Sequence, residues 1–162
     1  MPSSDTQIIL DYFRVIVKSL REASKIAEKS SAMSAAQLFV LQKISDSNEP
    51  LSINALAETT FTHQSSVSVV VSKLVKAKLV ERARSRVDAR AAEVILSAKG
   101  KSLLQKGPPL IQQRLIDGIG KLSKRQRQGL TDGLSALIEK ANLQDQKPTL
   151  FFEETAMRKK NV

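Results

Sequence analysis

The chain has no cysteine and a single histidine among 162 residues. Without cysteine there is no disulfide framework, thiolate metal site or thiol redox sensor. One histidine cannot supply a multi-His metal site, and no metal-ligand spacing is present, so no metal or cofactor is expected. Tryptophan is absent, tyrosine occurs once, and aromatics make up 4% of the chain. A sheet-rich fold carries more aromatic and β-branched residues, so an α-rich fold is expected. Apolar runs are short and interrupted by charge, which leaves no transmembrane helix. The start, Met1-Pro2-Ser3-Ser4-Asp5, has neither a basic segment nor an apolar core, so no signal peptide is expected and a cytoplasmic location is the default. Paired carboxylates, a nucleophile–base set and a phosphate loop are all missing, which argues against an enzyme.

What is present is a foldable, basic chain. Hydrophobic residues are 41% of the total, enough for a core in one domain with a terminal appendage. Lysine and arginine number 26 against 16 acids, a net charge of +10. Such a balance attracts polyanions: nucleic acid or an acidic membrane surface. The basic C-terminal end lacks the apolar face that membrane-surface binding needs.

Ile9, Phe13, Ile16, Val17 and Leu20 form a stripe at three- and four-residue spacing, which predicts a helix over 6–29 capped by Asp5 or Thr6. At about 1.5 Å per residue it spans about 36 Å, long for a small domain and suited to burial against another subunit. Ser34 is expected to cap a second helix, 35–45, followed by the turn Asp46–Pro50. Ser52 caps a short third helix, 53–59, and Thr60-Phe61-Thr62 is a tight connection. Thr62 is expected to cap a fourth helix, 63–77, with Val67, Val70, Val71, Leu74 and Val75 on one face. Its other face holds Gln64, Ser65, Ser68, Val69, Ser72, Lys73 and Lys76. Residues 79–84 and 92–96 alternate and predict a β-hairpin around the charged turn 85–90. Ser97 caps a fifth helix that starts at 98 and is broken or kinked at Gly107-Pro108-Pro109. The helical pattern resumes at Leu110, and Gly118 and Gly120 close that stretch. Ser123 caps a sixth helix, 124–142, with Leu130, Leu134 and Ile138 on one face. Residues 144–162 read as a tail whose large apolar groups are Phe151 and Phe152.

A short helix, a tight turn, an amphipathic helix and a hairpin describe a winged helix-turn-helix. The polar face of the fourth helix is suited to a major groove. Gln64 can pair bidentately with adenine, Ser65, Ser66 and Ser68 can meet base edges or phosphates, and Val69 can touch a thymine methyl. Thr62, Ser72 and Lys73 complete that surface. A serine at a helix start is ordinarily a cap, and an exposed valine by itself needs no explanation. The whole face together with the hairpin favours double-stranded DNA. Between Thr62 and Lys106 ten cations face three anions, a net +7. Arg82, Arg84, Arg86 and Arg90 dominate the hairpin, and guanidinium suits phosphates and a narrow minor groove. His63, the lone histidine, is expected in the first turn of the fourth helix, meeting phosphate or water.

Leu79-Val80-Glu81-Arg82, Asp88-Ala89-Arg90 and Ile95-Leu96-Ser97-Ala98-Lys99-Gly100 together resemble the wing signature of MarR-type transcriptional regulators. Ser34–Leu41 is similar to that family's second helix. Leu51–Ala57 and Gln64–Ser68 are similar to its helix-turn-helix, so the resemblance covers roughly 30–142. It implies a mainly α fold with a small β-hairpin. The winged helix-turn-helix lobe would be 30–97, with a helical dimerisation region over 6–29 and 98–142 and a tail over 143–162. It implies a homodimer that presents two fourth helices to a palindromic site as a repressor or activator, repressor being the expected sign. Arg90 would enter the minor groove, braced by Asp88. It also implies a small phenolic or anionic effector between the dimer helices and the lobe. Tyr12, Phe13 and Phe39 could line an apolar pocket, but each is better explained as core or interface. The chain departs from the pattern at Ala89, where the family often has arginine, at Ser97 for threonine, and at Pro108-Pro109. The alternative is an architectural DNA-binding protein without an effector and with weak sequence preference.

Overall fold

Four serines set the helix starts. In the computed structural model, which describes residues 4–47, 49–84, 92–105 and 110–151 (Arg84 by its backbone only), each expected serine cap is in place. Ser34 opens α2 (Ala35–Asp46) with a reciprocal box: its Oγ accepts from the Gln37 amide while Gln37 Oε1 accepts from the Ser34 amide. Ser52 accepts from the Ala55 amide at 3.1 Å and opens α3 (Ile53–Thr59). Ser97 does the same for α5 (Ala98–Leu104), and Ser123 pairs with Gln126 to open α7 (Lys124–Lys140). The remaining helices are α1 (Ser4–Ser31), α4 (Gln64–Lys76) and α6 (Ile111–Lys121). The first helix is thus longer at both ends than its apolar stripe suggested. The expected fifth helix is two elements, α5 and α6, and its break at Gly107–Pro109 lies outside the described residues. Helix α6 runs through Gly118 and Gly120 instead of stopping at them.

The sheet has three strands where a two-stranded hairpin was expected. Strands β2 (Val80–Arg84) and β3 (Ala92–Leu96) pair antiparallel with Val80 opposite Leu96 and Arg84 opposite Ala92. Leu51 and Ser52 form β1, which pairs with the other edge of β3 opposite Val94 and Glu93. Two residues carry no alternation, so only the partner strand defines β1. Its gain is support for a hairpin that would be marginal alone.

The core is formed by α2, α3, α4, the sheet and the C-terminal half of α1. Phe39, Leu38, Val40, Leu41, Leu56, Val67, Val70, Val71 and Leu74 are all essentially inaccessible. Ser97 locks the lobe: its Oγ donates to the Lys78 carbonyl at 2.8 Å while accepting from Gly100. Gly100 then packs so closely that a Cβ there would collide with the Leu79 carbonyl and a Leu96 methyl. Helix α6 is tied back by Lys43, whose Nζ reaches Gln113 Oε1 at 2.5 Å and lies over the Phe39 ring.

The segment after α7 departs from the expected tail. Leu150 is 5% exposed and belongs to the same buried cluster as Ala27, Met33 and Phe39. Gln112, itself buried, donates its Nε2 to the Phe151 carbonyl at 3.0 Å. A lone leucine in a polar stretch has no periodicity to announce it, which is why the sequence reads there as solvent-exposed.

The rest of the helical arm is bare. No residue of α7 is buried, and α1 buries only Leu20, Ser24 and Ala27. In its N-terminal half, Asp11 accepts from Gln7 and Arg14, and these contacts hold its carboxyl below the ordinary aspartate range.

Candidate nucleic-acid interface

Helix α4 is two-faced because its valines recur at helical spacing. Val67, Val70, Val71 and Leu74 face the core with at most 1% exposure, and Val75 packs partly against it. Gln64, Ser65, Ser68 and Val69 are exposed on the other side, and Val69 keeps 46% of its surface. Ser72 is half-buried and donates to the Ser68 carbonyl at 2.8 Å, so its hydroxyl hydrogen is engaged within the helix. Lys73 is half-buried on the same side and Lys76 is exposed.

Two expectations are corrected here. Ser66 is 6% exposed and turned inward beside Val67 and Val70, so it is not part of the outer surface. At 100° per residue, position 66 shares the arc of 67 and 70, and serine is small enough to fit there. Thr62 does not cap α4. The N-cap position belongs to His63, an exposed residue whose side chain makes no capping bond. The Thr62 amide instead donates to the Ala57 carbonyl at 3.0 Å, completing the end of α3.

The turn between α3 and α4 is therefore held from the α3 side. Thr60 is buried, and its Oγ1 donates to the Leu56 carbonyl at 2.7 Å. Phe61 follows in the left-handed region, φ 52°, with 76% of its surface exposed. Aromatic content was low enough that Phe61 passed in the sequence as part of a tight connection. Its signal is an aromatic beside two threonines in a turn that opens a helix.

In the wing, Arg82 is exposed on β2 and Arg84 ends that strand. Arg86, Asp88 and Arg90 lie outside the described residues. Lys99 reaches back to the Ala77 carbonyl at 3.0 Å. The structure does not bring together the three aromatics considered for an effector. Phe39 is a core residue at 1% exposure, while Tyr12 and Phe13 are exposed on α1. An open depression of about 740 Å³ lies between the end of α2, β3 and α5, lined among others by Gln42, Ser45, Ile95, Lys101 and Gln105. None of its lining residues belongs to α1 or α7. Among the described residues no three His, Asp or Glu gather as a metal-binding group, and no helix is long and apolar enough to cross a membrane.

A short helix, a fixed turn, a second helix with a polar outer face and an antiparallel sheet with a basic edge define a winged helix-turn-helix protein. Residues 33–91 match the model of the MarR family. The whole chain shares its fold with solved MarR-type regulators. Sco3205 from Streptomyces coelicolor, a MarR family transcriptional regulator solved in complex with DNA, is 20% identical with a TM-score of 0.60, covering 93% of this chain and 99% of that one. The transcriptional regulator BldR from Sulfolobus solfataricus is 22% identical with a TM-score of 0.56, covering 86% and 99%. BpsR from Bordetella bronchiseptica, whose DNA binding is regulated by 6-hydroxynicotinic acid, is 22% identical with a TM-score of 0.51, covering 76% and 90%. A comparison with curated proteins returns no match.

Proposed function

We propose that the chain is a transcriptional regulator, not an enzyme, that binds double-stranded DNA as a homodimer. The outer face of α4 would read the major groove, and Arg84, Arg86 and Arg90 of the wing would grip the backbone and minor groove, with Asp88 orienting Arg90. The observation that carries this reading is the division of α4: a sealed valine–leucine face fixes the helix to the lobe and leaves Gln64, Ser65, Ser68 and Val69 in solvent. Small hydroxyl side chains let a helix approach base edges closely. The DNA complex of Sco3205, a protein of the same fold, supports the assignment.

Dimerisation rests on the arm. Ile9, Phe13, Ile16 and Val17 of α1 and Leu130, Leu134, Leu137 and Ile138 of α7 are 36–49% exposed in the single chain. Among the described residues nothing covers these helical stripes, the pattern of a surface that a second copy completes. Two-fold symmetry then presents two α4 helices to a palindromic site, with repression by occupancy of a promoter as the simplest outcome. A small anionic or phenolic effector acting where arm meets lobe is the regulatory counterpart, supported by the ligand control of BpsR. The assembly would work in the cytoplasm.

Selection of bound fragments from a random pool of duplexes tests the reading. A narrow two-fold-symmetric consensus with half-sites about one helical turn apart is expected, and affinity should fall on the order of 10³-fold between 50 and 200 mM salt. Fragments of random sequence would point to an architectural protein, and a flat salt response would remove DNA binding. Gln64→Ala should relax discrimination at one base pair, whereas Arg90→Ala should weaken all sequences alike.

A further inference from the structure

The lobe hides its large apolar side chains with two exceptions. Among the described residues, the other exposed large hydrophobics lie on α1, α6 or α7, or follow α7, within the region that a partner copy would cover. Among the lobe's described residues only Phe61, at 76%, and Val69, at 46%, are exposed large hydrophobics. Both belong to the same short stretch of chain: Val69 is on the outer face of α4, and Phe61 stands in the turn three residues before Gln64 opens that helix.

Phe61 is also costly where it stands. Its φ of 52° places it in the left-handed region, where a side chain crowds its own backbone. Ala32, Lys78 and Asn142 occupy the same conformation at other helix ends, so the fold uses such ends generally. A bulky aromatic there is an unfavourable choice, and at 76% exposure it recovers little by packing. The turn does not need it. The Phe61 and Thr62 amides bond to the Glu58 and Ala57 carbonyls through the main chain, and Thr60 supplies the buried anchor. Glycine would meet every structural requirement of the position.

We propose that Phe61 is a specificity residue for DNA, packing on a thymine methyl group at the edge of the groove that α4 enters. The N-terminal end of a recognition helix is the part closest to base edges. Phenylalanine against the thymine methyl is an apolar contact that distinguishes thymine in the major groove. With Val69 it would give the otherwise polar surface a second apolar reading point. The assignment rests on the DNA-binding reading above and adds a base preference to it.

The test uses the full chain and a duplex selected by the wild-type protein, alongside copies with deoxyuridine replacing one thymidine at a time. Deoxyuridine removes only the methyl group. At one position per half-site it should weaken the wild type about four-fold, the equivalent of one buried methyl. Phe61→Gly removes the contact from both subunits, so it should bind the thymidine duplex about sixteen-fold more weakly, and it should not respond to deoxyuridine at that position. Its Tm should meanwhile rise by about 2–4 °C as the left-handed strain is relieved. Phe61→Asn, which tolerates this backbone and retains a side chain, should behave like the glycine variant on DNA. A wild type that selects no duplex overturns the DNA-binding reading itself. A selected duplex on which Phe61→Gly equals wild type, or loses affinity equally with and without the methyl, overturns the role of Phe61 alone.

Discussion

The lobe and the arm solve burial in opposite ways. From α2 to α5 the chain covers most of its own apolar surface: Leu38, Phe39, Val40, Leu41, Leu56, Val67, Val70, Val71 and Leu74 are inaccessible, and the helices α2, α3, α4 and α5 each start or end on a side-chain or main-chain cap. The N-terminal half of α1 and all of α7 bury nothing, although their apolar stripes are as regular as those of the lobe. Regular hydrophobic periodicity therefore says that a face will be covered, not what will cover it. In the lobe the cover is the same chain; in the arm no described residue supplies it, and the proposed dimer assigns it to a second copy.

Placing charges in the arm should sharpen that contrast most. Ile16→Asp combined with Leu134→Asp should abolish the dimer in sedimentation and lower DNA affinity on the order of 10²-fold or more, because two linked half-site contacts become one. An unchanged sedimentation coefficient would show that these stripes are not the interface. Next come two leucine deletions with different concentration dependence. Leu74→Ala, in the sealed face of α4, should cost about 2–5 kcal/mol at any protein concentration. Leu134→Ala should lower Tm chiefly in dilute solution, because the proposed dimer makes a second copy its packing partner. Equal behaviour of the two in a dilution series of melting curves would erase the distinction. Gly100→Ala should cost about 1–3 kcal/mol by forcing Leu79 and α5 apart, as measured by denaturant titration. The smallest effect is expected from Ser34→Ala, about 1 kcal/mol for the lost capping box.

The contrast also shows how far the sequence could be read. Caps at Ser34, Ser52, Ser97 and Ser123 were legible because a hydroxyl ahead of a periodic run has one inexpensive local use, and the structure realises all four. The outer face of α4 was legible because period alone orders its residues. Errors arose where periodicity was silent or tertiary contacts decided. Strand β1 exists only through its partner, and Leu150 is buried through contacts distant in sequence. Ser66 looked like its serine neighbours but shares the inward arc. Thr62 resembled a cap, yet the end of α3 takes its amide and leaves the N-cap of α4 to His63.

Leu150 has a consequence for biosynthesis. The cluster seeded by α2 cannot be completed until residue 150 has been translated, well after its other members. This leucine joins the lobe's cluster only after both long helices of the arm have been made. A stop codon anywhere between α7 and this leucine would release a chain that has every helix described above and lacks one member of its buried cluster.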